Sequence, residues 1–142
     1  MTPAAIVTAD SAGIARASAK LLEGQPVGMP TETVYGLAAD ATNSDAVARL
    51  YAIKNRPNFN PLITHVATTE LARSEGVLDE RADSFAKSFW PGPLTIVVPA
   101  HAEGQTCELA RAGLMTIALR VPSHPFAQAL LQACNKTLAA PS

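Results

Sequence analysis

Lys54 and Arg56 stand two residues apart, and together they suit the charge of a diphosphate or triphosphate. Lysine supplies a compact point charge and arginine a rigid fork of donors. They follow a predicted helix, so cations serving only the dipole of its C-terminal end account for the pair equally well. His65 comes next, closing Asn60-Pro61-Leu62-Ile63-Thr64-His65. A lone histidine near the end of an apolar strand is more often a hydrogen-bonded structural residue than a catalyst. Upstream, Pro30-Thr31-Glu32-Thr33-Val34-Tyr35-Gly36-Leu37 sets hydroxyls and a carboxylate after a strand. Those groups suit an amino acid or a phosphate, or a capped turn that satisfies its own backbone. Arg120 interrupts the apolar run Thr116-Ile117-Ala118-Leu119-Arg120-Val121-Pro122. Burying it unpaired is costly, so it must meet a carboxylate, from the protein or from a ligand. Ser142, in Ala139-Ala140-Pro141-Ser142, is the last candidate.

Several familiar chemistries are not indicated. There is no G-x-x-x-x-G-K-[ST] loop, G-x-G-x-x-G turn, G-x-S-x-G elbow or H-E-x-x-H pair. Cys107 and Cys134 are the only cysteines and lie far apart, which argues against a disulfide framework or a zinc site. Eleven basic and 12 acidic residues leave a net charge of −1, so any attraction for polyanions must be local. No run approaches the roughly 20 apolar residues of a membrane span, and the N-terminus lacks a targeting pattern. A cytoplasmic protein without a membrane partner is expected.

The candidates need elements to position them. The chain has 142 residues, 48% hydrophobic and 16% charged, which is enough for one packed domain. Ala5 to Thr8 reads as a strand. Asp10 or Ser11 caps a helix carrying Ile14, Ala17, Leu21 and Leu22, with Gly24 as its stop. Gln25 to Met29 reads as a strand leading into the polar loop. Thr42-Asn43-Ser44-Asp45 opens a helix with Val47, Leu50, Tyr51 and Lys54 on one face. Leu62 to Val66 is a strand and Thr69 to Glu75 a short helix. Ala82, Phe85, Ala86 and Phe89 mark another helix, ended by Trp90-Pro91-Gly92-Pro93. Leu94 to Pro99 is almost continuously apolar, so a central strand buried on both faces is expected. Met115 to Val121 is a strand. Ser123 caps a helix with Phe126, Leu130, Leu131 and Cys134 inward, and Thr137 to Ala140 starts a last strand. The fold class is α/β or α+β, one twisted mixed sheet flanked by helices.

Taken in order, the blocks PTETVYGL, KNRP, NPLITH, FWPGPLTIVV, TIALRVPSHP and AAPS resemble the signatures of the YrdC/Sua5 family. Asn55 stands where many members have glycine. The chain stops inside what resembles the family's A-P-S-A-N block, so a YrdC-like domain over 1–142, short at its C-terminal end, is expected. The resemblance implies synthesis of threonylcarbamoyl-AMP and pyrophosphate from L-threonine, bicarbonate and ATP with Mg²⁺, for the t6A base of tRNA. Separate transferase proteins complete that base. It also implies roles: Lys54 and Arg56 on the leaving pyrophosphate; Thr33, His65, Arg120 and Ala140 around threonine; Arg56, Asn60, Thr116 and Ser142 toward ATP. No side chain stands out as a nucleophile, so catalysis would rest on positioning and charge stabilisation. Two other readings remain: a carbamoyl-adenylate carbamoyltransferase domain, and a module binding double-stranded RNA through a patch around Lys54 and Arg56.

Overall fold

The computed structural model describes residues 5–33, 35–55, 57 and 60–141. Five helices carry the expected patterns. The first, α1 (Ser11–Leu22), is capped by Asp10, whose carboxylate accepts from the Gly13 amide at 2.8 Å. Such a cap contributes about 1 kcal/mol. In α2 (Ser44–Ile53), the Asn43 side chain accepts from the amides of Asp45 and Ala46, and Val47, Leu50 and Tyr51 are buried. The others are α3 (Thr69–Glu75), α4 (Glu80–Phe89) and α5 (Pro125–Cys134). A 3₁₀ turn spans Glu108–Arg111.

Six strands form one sheet: β1 (Val27–Pro30), β2 (Tyr35–Asp40), β3 (Ile63–His65), β4 (Ile96–Pro99), β5 (Thr116–Arg120) and β6 (Leu138–Ala140). Their spatial order is β1-β2-β6-β3-β5-β4. Every neighbouring pair is antiparallel except β3 and β5, so the sheet is mixed as expected. The parallel pair aligns Ile63 with Ala118 and His65 with Arg120.

Side chains alternate across a sheet, so register decides which residues share a face. Thr64, Ala39, Ala139, Leu119, Ile117 and Val98 share one face by these pairings. Helices cover that face. Val47, Leu50 and Tyr51 of α2 pack with Ala39 and Ala139, while Ala72, Ala82, Ala86 and Trp90 pack with Ile117, Leu119 and Val98. The opposite face is covered by α1 and α5 only over β1, β2 and β6. There Leu21, Leu130 and Leu131 meet Met29, Ala38 and Leu138. Over β3, β5 and β4 it stays open, and Val97 is 64% exposed.

The structure corrects four readings. Ala5–Thr8 forms no strand. It folds back on α1, so that a Cβ on Gly13 would lie 1.7 Å from the Thr8 carbonyl oxygen. Without a neighbouring ladder, four residues cannot satisfy a strand's backbone groups. The strand β2 carries no hydrophobic alternation, because its inward residues are glycine and alanine; only its pairing with β1 and β6 reveals it. The strand β4 is an edge, not a central strand: among the described residues no strand follows it in the sheet, and only the isolated Gly76–Ala100 bridge lies at its end. The helix α5 is capped by His124, whose Nδ1 accepts from the Phe126 amide, and not by Ser123. On α4, Phe85 and Phe89 stack on each other at 6.3 Å while half exposed, and Ala82 and Ala86 face the core.

Two positions test this packing. Gly76, just after α3, approaches the sheet so closely that a Cβ would lie 2.6 Å from Val98 Cγ2 and 2.9 Å from Leu119 Cδ1. Gly76→Ala should cost about 1–3 kcal/mol by overpacking, read from the midpoint of denaturant unfolding. Thr64 is fully buried, and its hydroxyl finds no hydrogen-bond partner among the described residues. Thr64→Val should leave that midpoint unchanged or raise it, because the isosteric methyl removes an unsatisfied buried hydroxyl.

Candidate active site

The open sheet face collects several of the residues singled out by chemistry. Thr116, Ala118 and Arg120 alternate onto it from β5, and their exposure falls from the exposed Thr116 to the 9% exposed Arg120. In-register pairing adds Ile63 and His65 from β3, while Ala140 and Leu138 of β6 continue the same side of the sheet under α1 and α5. Thr116 and Arg120 mark opposite ends of this face, roughly 13 Å apart at the rise of an extended strand. An elongated substrate could meet a different polar group at each end.

At the Arg120 end, the guanidinium donates from Nε and Nη2 to the Thr95 hydroxyl at 3.1 and 2.8 Å. Thr95 just precedes β4 and is a partner that sequence reading missed. The expected carboxylate is not in contact: among the described residues Arg120 makes no ion pair. Burial lowers its pKa, and the more distant charge of Glu32 pulls it back up. An arginine remains charged in either case. Its cation is therefore oriented by a neutral hydroxyl and keeps unspent electrostatic capacity.

His65 lies beside Arg120 at 2% exposure, below the surface of the site. Its Nδ1 lies 3.1 Å from the Ile63 carbonyl oxygen, which accepts when that nitrogen carries the proton. Burial, helped by the adjacent Arg120 charge, pushes its pKa down to about 4; backbone hydrogen bonds to Ile63 and Leu138 and the charge of Glu32 act weakly the other way. A neutral imidazole next to Arg120 adds no competing positive charge.

The loop between β1 and β2 reaches toward this end. Thr33 is exposed, and its hydroxyl lies 3.0 Å from that of Thr31. The neighbouring Glu32 accepts from the Ser123 amide at 2.7 Å and from the Ser123 hydroxyl. Burial raises the Glu32 pKa, but hydrogen bonds from the Ser123 side chain and from nearby backbone outweigh it, so the carboxyl titrates below its ordinary value.

Other candidates frame the site less directly. Lys54 ends α2 and is exposed, so it is free to extend. Asn60 is exposed three residues before β3, and its carbonyl accepts from the Tyr51 hydroxyl at 2.9 Å. Ala140 is buried, and a Cβ on Gly36 would lie 3.6 Å from its own. It offers backbone rather than side chain. Arg56 and Ser142 lie outside the described residues. A separate depression of about 310 Å³, lined by Glu75, His101, Glu108 and Arg111 among others, includes none of the described candidates. Glu75 there is already committed, its carboxylate accepting from Gln105 and Thr106.

No group of three His, Cys, Asp or Glu side chains that could hold a metal ion occurs among the described residues. A dedicated protein cage for Mg²⁺ does not fit them. No helix among them is long and apolar enough to cross a membrane.

Comparison with known proteins agrees with this architecture. The Sua5/YciO/YrdC family model, described as "Telomere recombination", matches residues 19–142. A threonylcarbamoyl-AMP synthase of Bacillus subtilis (strain 168) is 45% identical over 130 residues, covering 91% of this chain and 37% of that protein. The same enzyme of Pyrococcus abyssi (strain GE5 / Orsay) is 44% identical over 124 residues, covering 84% of this chain and 35% of that one. The crystal structure of P. abyssi Sua5 complexed with L-threonine superposes with a TM-score of 0.89 at 40% identity, over 94% of this chain and 39% of that chain. The chain thus spans little more than a third of these relatives. It belongs to the Sua5/YciO/YrdC family.

The buried His65 makes stability depend on pH. The unfolded imidazole takes up its proton near pH 6.5, whereas the folded one resists until about pH 4. Stability is therefore fully present above 6.5 and falls as pH drops from 6.5 toward 4, by a contribution on the order of 3 kcal/mol. His65→Asn should flatten the dependence of the unfolding midpoint on pH across that window. Nuclear magnetic resonance titration should find the wild-type imidazole neutral at pH 6.

Proposed function

We propose that this chain carries the catalytic site of a threonylcarbamoyl-AMP synthase. In this reading the amino group of L-threonine takes up carbon from bicarbonate with loss of water. The resulting carbamate oxygen then attacks the α-phosphorus of ATP, and pyrophosphate leaves. The product would serve a tRNA base modification completed by other proteins.

One observation carries the reading. Arg120 is buried to 9% exposure, is oriented by the neutral Thr95 hydroxyl, and makes no ion pair among the described residues. A cation held that way is suited to the carboxylate of an amino acid, where a charge-assisted pair is strong and bidentate geometry is available. The L-threonine held by the related P. abyssi protein supports the choice of amino acid.

The remaining roles follow from position. Thr33 stands at the loop tip near the Arg120 end and would meet the polar groups of threonine. The neutral His65 beneath would hold a proton on Nδ1 and leave the Arg120 charge for the substrate carboxylate. Thr116 and Asn60, with Ser142, would take the nucleotide. Lys54 and Arg56 would stabilise charge developing on the departing pyrophosphate. Ala140 would contribute its backbone. Mg²⁺ is assigned to the phosphates of ATP, as is usual for that ion, with no step routed through a protein-bound metal. Preorganised charge and proximity, not a covalent intermediate, supply the rate enhancement.

Pyrophosphate release from ATP should require both L-threonine and bicarbonate. Lys54→Ala and Arg56→Ala should lower the maximal rate, by about 10- to 100-fold if each supplies one transition-state contact. Arg120→Ala should instead raise the KM for threonine more than that for ATP. Release that is indifferent to threonine, or unaltered by all three substitutions, would sink the proposal.

A further inference from the structure

The ladder of the β1–β2 hairpin ends at the Pro30–Tyr35 pair. Within the loop, the Thr31 and Thr33 hydroxyls lie 3.0 Å apart. A long-range tie to the rest of the molecule comes from Glu32, which reaches a residue 91 positions away. Its Oε2 accepts from both the amide and the hydroxyl of Ser123, in the turn between β5 and α5. Ser123 lies three residues after Arg120. The carboxylate also sits ahead of the N-terminus of α5, where negative charge is favoured.

We propose that Glu32 is a positioning residue, clasped by Ser123 so that the hairpin tip is held at the Arg120 end of the open face with Thr33 set against the amino-acid substrate. The assignment rests on the synthase reading above. The clasp does two things. It fixes Thr33, the residue immediately following Glu32. It also occupies the Glu32 carboxylate, which interacts electrostatically with both Arg120 and His65 yet makes no ion pair with Arg120. Were the carboxylate released, it could swing onto the guanidinium and compete with the substrate carboxylate. A charge kept near but off Arg120 stabilises the cation without consuming its donors.

The test compares wild type, Glu32→Ala, Glu32→Gln and Ser123→Ala. Amide hydrogen exchange is measured without substrates, and initial rates are measured with threonine and ATP varied separately. Glu32→Ala should speed exchange at Tyr35 to Leu37 and at Ser123, while amides of β3 and β5 keep their protection. It should raise the KM for threonine about tenfold or more, with the KM for ATP moving less than about twofold, as expected when one reacting group is misplaced. Glu32→Gln keeps an acceptor oxygen for Ser123 and should be milder in both readouts. Ser123→Ala removes the hydroxyl donor and keeps the amide, so it loosens a charged Glu32, and adding Glu32→Gln to it should recover part of the lost threonine affinity. Unchanged exchange in Glu32→Ala overturns the clasp whatever the kinetics. Faster exchange with unchanged threonine KM overturns the positioning role. If wild type itself shows no threonine dependence, the synthase reading fails and takes the positioning role with it, while the exchange data still decide whether the clasp exists.

Discussion

A guanidinium near the end of an otherwise apolar strand imposes the main constraint on this molecule. Arg120 follows Leu119, which is fully buried on the helix-covered side, and so must emerge on the other. Full burial there would cost several kcal/mol without a partner, and a direct ion pair would spend the charge within the protein. The observed arrangement is intermediate. Thr95 supplies hydrogen bonds but no charge, His65 is held neutral beside it, and Glu32 contributes charge from beyond ion-pair distance. Each neighbour stabilises the cation without discharging it.

The unequal helix coverage of the sheet serves the same end. Clusters built on α2, α3 and α4 cover one face over β2, β6, β3, β5 and β4. On the other, α1 and α5 cover only the β1–β2–β6 half, against small residues such as Ala38 and Ala140. The uncovered half is flat, backed by a packed core, and bordered by the hairpin loop and the segment before β3. Rigid strands place Thr116, Arg120 and His65, while the β1–β2 loop carries Thr33 and ties to the turn after β5 through Glu32. A scaffold of that kind suits chemistry that depends on positioning more than on a reactive side chain.

Much of this was legible in the residue order. Capping chemistry is local, so Asp10 and Asn43 announced α1 and α2. Blocks such as PTETVYGL and TIALRVPSHP carried the family resemblance that the fold and the relatives bear out. The misreadings share one cause. Apolarity along β4 was taken for central burial, but a strand's place in a sheet depends on partners, and β4 has one. The spacing of Ala82, Phe85, Ala86 and Phe89 marked α4 without saying which of them face inward; the alanines pack in the cluster with Ile117 and Val98, and the phenylalanines stay half exposed. The strand β2 was overlooked because glycine and alanine give no hydrophobic period.

The sequence by itself determined the five helices, the caps of α1 and α2 and the residues able to carry charge or hydroxyl chemistry, because those properties act within a turn or two of chain. Only the tertiary structure decided which of them meet. The pairing of His65 with Arg120, the Thr95 hydroxyl beneath the guanidinium, and the bond from Glu32 to Ser123 join residues 25 to 91 positions apart, or strands far apart in order. Such contacts arise from strand register and sheet order, which follow from the packing of the whole core and not from any local run of residues.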